Sequence, residues 1–215
     1  MISSEELSIE LKKTRLVAVT TIPSSDLAVP LAKSLIEGGV QFIEITFRNE
    51  NAEKSIKEIK KANLKIFLGA GTVRTIDQAE KAIEAGVQYI ISPGFNPKIV
   101  SWAQSHKIPV YPGVDSTLGI EQAIDLGLKT LKMFPAAEIG GVAWLKAIKG
   151  PYSDINFIPT GGVDMKNLKE FLSLSNVLAV GGSFLAPSDL ITQKRFDEIA
   201  KICKDAISIS KSTTN

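Results

Sequence analysis

The sequence predicts an α/β fold: a single closed (β/α)₈ barrel of the TIM-barrel class, with one extra helix at its N-terminus. Three observations carry this. Eight short β-rich runs alternate with helix-patterned stretches, which is the arrangement of parallel βαβ units. Eight such units close into a barrel, whereas six or fewer favour an open doubly wound sheet. Several helical stretches end in glycine just before the next run, the usual left-handed helix stop. Finally, the 215 residues, somewhat under the ~250 typical of such barrels, show no linker, low-complexity tract or break in composition. One domain over 1–215 is therefore expected.

The elements follow in order. Ser4 to Lys13 reads as a helix across the barrel bottom, with Ser3 or Ser4 as N-cap. The first strand is Leu16–Thr20. Leu27, Pro30, Leu31, Ser34 and Leu35 then fall at helical spacing before Gly38-Gly39. The second strand is Phe42–Thr46, and the lysine-rich stretch 54–65 is the wet face of the next helix. Strands three and four are Lys65–Ala70 and Tyr89–Ser92, separated by a helix with Ala79, Ala82 and Ile83 on one side and Gly86 at its end. Strand five is Pro109–Gly113, and the helix after it stops at Gly127. Strands six to eight are Thr130–Phe134, Asn156–Thr160 and Val177–Gly181. An amphipathic C-terminal segment carries Ile199, Ile202, Ala206 and Ile207, and the polar tail 208–215 is expected to fray.

Composition excludes several functions. The chain has 25 Lys and Arg against 23 Asp and Glu, a net charge of +2, and no basic stripe, which argues against a nucleic-acid partner. Its one cysteine, Cys203, cannot form an internal disulfide or a cysteine metal cluster, and it reads as a small core side chain. Its one histidine, His106, rules out a multi-histidine metal site and is expected at the surface. The N-terminus lacks an apolar signal region, and no apolar run approaches membrane-span length. A soluble cytoplasmic protein with no membrane partner is expected.

Barrel active sites sit at the C-terminal ends of the strands, and the unusual residues fall there. In strand six, Thr130, Lys132 and Phe134 share one face, so a charged residue lies in the middle of a buried strand. A buried lysine is rare unless it is paired or has a task. A desolvated amine holds its proton less tightly and is then a nucleophile. The other reading is a lysine with its stem along the wall and its head in water. In strand two, alternation puts Glu44, Thr46 and Arg48 on one face and Ile43, Ile45 and Phe47 on the other. Glu44 should therefore point inward, toward Lys132. A buried ion pair without chemistry is possible there, but such pairs seldom stabilise a fold better than apolar residues would.

Strand three ends in Gly69-Ala70-Gly71-Thr72, strand four in Ser92-Pro93-Gly94 and strand five in Tyr111-Pro112-Gly113. Each is a place for close backbone approach, or simply a turn. Strand seven ends in Thr160-Gly161-Gly162 and strand eight in Gly181-Gly182-Ser183. Glycine-rich ends on the last two strands are the usual barrel site for a phosphate held by backbone N–H groups. Tight strand-to-helix turns are the alternative.

Together these residues resemble the 2-dehydro-3-deoxy-6-phosphogluconate (KDPG) aldolases, which also act on 4-hydroxy-2-oxoglutarate (KHG). The likeness runs from Gly38-Gly39-Val40 to Gly182-Ser183. It rests on Glu44-Ile45-Thr46-Phe47-Arg48, Gly69-Ala70-Gly71-Thr72-Val73, Ile91-Ser92-Pro93-Gly94, Lys132-Met133-Phe134-Pro135, Lys146-Ala147-Ile148-Lys149-Gly150-Pro151 and Pro159-Thr160-Gly161-Gly162-Val163. The resemblance implies a class I aldolase on a (β/α)₈ barrel, a homotrimer, with no metal and no cofactor. By residue, it implies Lys132 as the Schiff-base lysine and Glu44 as the proton shuttle. Arg48 would hold the substrate carboxylate with help from Thr72. Pro93 and Phe134 would pack around the pyruvyl group, and Thr160 would lie near the substrate hydroxyls. Gly161, Gly162, Gly182 and Ser183 would form the phosphate cradle. The implied substrate is a small phosphorylated 2-keto acid.

Two places depart from the family. Relatives often carry a Thr-x-x-Glu helix start after Pro112-Gly113-Val114, where this chain has Asp115-Ser116-Thr117-Leu118-Gly119-Ile120-Glu121. Some carry an arginine at the end of strand one, where this chain has Thr20-Thr21. Two rival readings stand beside the aldolase: a phosphosugar isomerase or epimerase with Glu44 as base, and a non-catalytic sensor of a phosphorylated acid. Borohydride trapping with pyruvate separates them, because only an imine is reduced to a stable adduct.

Overall fold

Parallel strands and surface helices alternate along the chain, but the strands do not close into the eight-stranded barrel that the sequence predicts. The computed structural model describes residues 2–213. Its strands are β1 (Leu16–Thr20), β2 (Phe42–Thr46), β3 (Phe67–Gly71), β4 (Tyr89–Ile91), β5 (Val110–Tyr111), β6 (Gly113–Val114), β7 (Thr130–Met133), β8 (Asn156–Pro159) and β9 (Val180–Gly182). They form a six-stranded parallel sheet, β5-β4-β3-β2-β1-β9, and a separate three-stranded parallel sheet, β6-β7-β8.

Both interruptions have a chemical cause. The run expected as one strand over 109–113 is cut in two at Pro112, which has no N–H to give to a ladder. At the other junction, β8 meets the chain before and within β9 only through two isolated bridges, Phe157↔Val177 and Thr160↔Gly181. There the backbone changes partners. The N–H of Leu178 donates to the Phe157 carbonyl, and that of Val180 donates to the Arg15 carbonyl. The Arg15 guanidinium meanwhile donates to the carbonyls of Val177 at 2.8 Å and Leu178 at 3.3 Å. A side chain thus takes acceptors that a continuous ladder would use.

The two sheets still share one interior. Val17, Phe42, Tyr89, Ile91, Tyr111 and Ile158, from strands of both sheets, pack into a single apolar cluster. Helix α1 (Ser4–Thr14) closes that cluster with Leu7 and Leu11, both buried. Burying each contributes about 1.5–3 kcal/mol. Ser3 caps α1 through a reciprocal pair: its N–H donates to Glu6 Oε2 at 2.8 Å, and its hydroxyl accepts from the Glu6 N–H at 3.1 Å. Such a cap contributes roughly 1 kcal/mol.

The alternate residues of the strands face a larger cluster under the helices α2 (Ala28–Glu37), α3 (Ala52–Lys61), α4 (Ile76–Ala85), α5 (Pro97–Ser105), α6 (Thr117–Asp125), α7 (Gly141–Ile148), α8 (Leu168–Leu172), α9 (Ser188–Thr192) and α10 (Phe196–Ser212). Among the described residues, no helix is long and apolar enough to cross a membrane. His106 is exposed at the end of α5 and stacks on Trp102, with centroids 4.1 Å apart.

The C-terminal tail differs from expectation. Helix α10 does not fray at Ser208 but continues through Ser212. Cys203, Ala206 and Ser210 form a buried stripe at helical spacing, and the Ser210 hydroxyl donates to the Thr14 carbonyl at 2.8 Å. A polar composition concealed that stripe. Only 214–215 of the tail lie outside the described residues.

Cys203 packs where α10 crosses α2. A Cβ on Gly38 would overlap the Cys203 Cβ, so glycine permits the close approach. The thiol is fully buried, donates to the Leu185 carbonyl at 3.4 Å, and is pushed up to about 12 by that burial. Because only the thiolate is reactive, Ellman's reagent at pH 8 should label none of the native protein and one thiol per chain after denaturation in guanidinium. Fast labelling of native protein would contradict this packing.

Candidate active site

Strand alternation delivers one charged residue from each sheet into the interior. On β2, Ile43 and Ile45 join the helix-side core, while Phe42 faces inward, and Glu44 and Thr46 follow it on that face. On β7, Leu131 and Met133 face the helices, which turns Lys132 inward. The side chains of Lys132 and Glu44 are only 6% and 1% exposed, and Nζ donates to Glu44 Oε1 at 3.4 Å. The other ion pairs of the described residues sit at the surface, where each contributes about 0–1 kcal/mol. For the buried pair, desolvation costs several kcal/mol per ion, so apolar residues would serve stability as well or better.

The surroundings fit this pair closely. Lys132 Nζ lies 5.1 Å from the centroid of the Phe134 ring, within cation–π range. Tyr89 sits in the interior cluster with its hydroxyl donating to the Ile43 carbonyl at 2.9 Å. Burial, reinforced by the Glu44 charge, pushes its phenol well above the usual range, so Tyr89 stays neutral. On β3, a Cβ at Gly71 would overlap the Glu44 carboxyl, so the absent side chain is the space that the carboxylate occupies. Gly181 similarly leaves room for the hydroxyl of Thr160, a buried residue that donates to the Ile158 carbonyl at 3.3 Å.

The remaining residues singled out from sequence fall around two clefts. One, of about 500 Å³, is lined by Thr20, Thr21, Thr46, Arg48 and Ser183, with the Pro187–Asp189 segment at its side. Arg48 is exposed there, and among the described residues its guanidinium makes no hydrogen bond or ion pair. The other cleft, of about 260 Å³, brings Pro93 and Phe134 together with Gly113 and Leu118. Thr72 follows Gly71 with a left-handed φ of 56°, a conformation uncommon for a threonine. Gly161 and Gly162 have φ of 94° and 72°, so they turn the backbone out of β8, and Gly161 lies against the Phe134 ring. Gly182 is different: it is extended, and its missing side chain makes room for the Phe184 ring. Geometry thus joins Lys132, Glu44 and Phe134 directly, and groups Arg48 with Ser183.

No sequence pattern marks the contact between the Thr21 and Thr46 hydroxyls, 2.6 Å apart in the larger cleft. Position 46 was readable, because it lies two residues beyond Glu44 on the same face. Thr21 belongs to the Thr20-Thr21 departure from the family, but it falls just past the end of its strand, so alternation assigns it no face.

The family model described as KDPG and KHG aldolase matches residues 7–202. The chain belongs to this aldolase family. It is 39% identical to the 2-dehydro-3-deoxy-phosphogluconate aldolase of Treponema pallidum over 93% of this chain and 95% of that protein. It is also 39% identical to the KHG/KDPG aldolase of Escherichia coli K12, covering 91% and 92% of the two chains. Among solved structures, the KDPG aldolase of Legionella pneumophila superposes with a TM-score of 0.91 at 33% identity, covering 95% of this chain and 98% of that one. In that crystal structure, pyruvate is captured at low pH as a covalent carbinolamine intermediate.

Gly71→Ala tests the fit around Glu44. The added methyl displaces the carboxyl, and a shift of about 1 Å costs roughly 10²-fold in rate. We expect kcat for aldol cleavage to fall by that order while the protein still folds, with a Tm lowered by overpacking. Unchanged kcat would mean that the carboxyl does not need its present position.

Proposed function

We propose that this chain is a class I aldolase that cleaves KDPG to pyruvate and glyceraldehyde 3-phosphate, and KHG to pyruvate and glyoxylate. The observation that carries the proposal is the buried Lys132–Glu44 pair, with Nζ and Oε1 3.4 Å apart. A carbinolamine is the adduct of an amine and a carbonyl, so the pyruvate complex of the Legionella relative supports an amine nucleophile in this family. Among the described residues, the buried lysine amine is that of Lys132.

Lys132 Nζ, as the free amine, attacks the C2 carbonyl of the substrate. The carbinolamine loses water to give a protonated imine. Glu44 takes the proton of the C4 hydroxyl, directly or through one water, as the C3–C4 bond breaks. The aldehyde leaves, and the bonding electrons remain as the enamine of pyruvate. Protonation at C3 and hydrolysis release pyruvate and restore the lysine. Arg48 offers a planar fork to the substrate carboxylate, with Thr72 beside it. Pro93 and Phe134 enclose the pyruvyl group, and Thr160 lies toward the substrate hydroxyls. Gly161, Gly162, Gly182 and Ser183 surround the phosphate. The enzyme would work as a homotrimer, which the family resemblance supports, and in the cytoplasm, where the single cysteine, Cys203, agrees with a reducing compartment.

Incubation with pyruvate and borohydride, followed by intact-protein mass spectrometry, tests the nucleophile. The wild type gains one reduced pyruvyl group and Lys132→Ala gains none. An adduct on the variant would assign the nucleophile elsewhere, and no adduct on the wild type would favour an isomerase.

Ser183→Ala tests the phosphate cradle. A hydrogen bond to a charged group contributes about 1.5–3 kcal/mol, so KM for KDPG should rise roughly 10- to 100-fold. The phosphate is remote from the breaking bond and binds alike in ground and transition states, which is why the loss falls on KM. KHG carries no phosphate and should be nearly indifferent. Equal losses on the two substrates would assign Ser183 to the fold instead.

A further inference from the structure

We propose that Thr21, through its hydroxyl pair with Thr46, is a specificity residue that binds the C5 hydroxyl of a phosphorylated six-carbon substrate. The proposal rests on the aldolase reading above and names a contact that reading leaves open.

The two hydroxyl oxygens are 2.6 Å apart, and either can be the donor. Two hydroxyls carry two hydrogens, and their mutual bond uses one. Among the described residues, neither oxygen makes another hydrogen bond, so one O–H is left to donate and lone pairs are left to accept. Thr46 is almost fully buried, whereas Thr21 is half-exposed in the larger cleft. The pair therefore offers a neutral donor and acceptor at the cleft wall. That suits a hydroxyl group, which also donates and accepts. A carboxylate or phosphate is matched better by Arg48 in the same cleft or by backbone N–H groups.

The topology says which hydroxyl. In the large sheet, β1 lies between β2 and β9. Val19 pairs with Glu44 on one side, and Ala18 pairs with Gly182 on the other. Thr21 is thus flanked by the strand that carries the proton-accepting carboxylate and the strand that leads to Ser183. Lys132 and Glu44 are not in the wall of this cleft. A substrate reaching from Lys132 to the cradle at Ser183 passes Thr21 with the stretch between its breaking bond and its phosphate. In KDPG that stretch bears two hydroxyls. Glu44 takes the proton of the C4 hydroxyl, and Thr160 stands toward the same stretch from the end of β8; from the end of β1, the hydroxyl that the Thr21–Thr46 pair meets is the one on C5.

The condensation direction isolates this contact. Wild type, Thr21→Val and Thr21→Ser are each supplied with pyruvate and one of two aldehydes: glyceraldehyde 3-phosphate, or freshly prepared 3-phosphopropanal, which keeps the phosphate and lacks the hydroxyl. A neutral hydrogen bond contributes about 0.5–1.5 kcal/mol. Thr21→Val should therefore lower kcat/KM for glyceraldehyde 3-phosphate about 3- to 10-fold relative to 3-phosphopropanal, and Thr21→Ser should restore the wild-type ratio. An equal loss on both aldehydes, or no loss on the hydroxylated one, overturns the assignment. Borohydride trapping of pyruvate runs beside each assay. A Thr21→Val protein that cannot be trapped would place Thr21 in support of the reacting centre and also overturn it. A wild type that cannot be trapped refutes the aldolase reading itself, and this contact with it.

Discussion

A lysine and a glutamate buried together, 3.4 Å apart and anchored on different sheets, set the terms for the rest of this fold. Neither group is at home in an apolar interior. The interior must therefore supply shape and polarity for them without letting bulk water in. Tyr89, Phe42 and the plugging helix α1 make the space on one side dry. Gly71 removes a methyl where the carboxyl needs to be. Phe134 presents an aromatic ring to the amine. None of these is the arrangement that stability alone would select, because apolar residues at 44 and 132 would avoid the desolvation cost.

The division into two sheets bears on the same pair. Pro112 ends one ladder, and Gly113 begins another beside Lys132, which it pairs with in register. A Cβ at Gly113 would overlap the Pro93 carbonyl, so the chain at this junction is packed backbone against backbone. The other junction is held by the Arg15 guanidinium rather than by a ladder. The strand that leads to Ser183 is thereby tied to the residue just before β1. Both ends of the small sheet thus meet the large one through local devices instead of continuous strand pairing.

Much of this was legible in the sequence. β1 and β2 begin and end at the residues the alternation indicates, and period-two patterning sufficed to turn Glu44 and Lys132 inward. Ser3 or Ser4 could be read as the cap, and the reciprocal bonds with Glu6 decide for Ser3. What failed was closure. Eight β-rich runs suggested eight ladders, but run length does not reveal that a proline lacks its N–H at the very position where pairing must continue. Nor does it show that an arginine far away in sequence takes the carbonyls of 177–178. The tail failed for a related reason: the stripe of Cys203 and Ala206 continues into it only as Ser210, a buried serine that carries no apolar signal. The Thr21–Thr46 contact joins residues 25 apart in sequence, and no local pattern encodes it.

The room that Gly71 leaves for the Glu44 carboxyl has a consequence for how this site can change over generations. Because the Glu44 carboxyl fills the space that a side chain at 71 would occupy, the two positions do not vary independently. A methyl at 71 displaces the carboxylate and lowers turnover as long as residue 44 is a glutamate, whereas a descendant that gave up the carboxylate would release 71 from glycine. Substitutions at this pair should therefore arrive in a fixed order, with 44 leading and 71 following, so an ancestral history of the site would show glycine retained in every lineage that kept the glutamate.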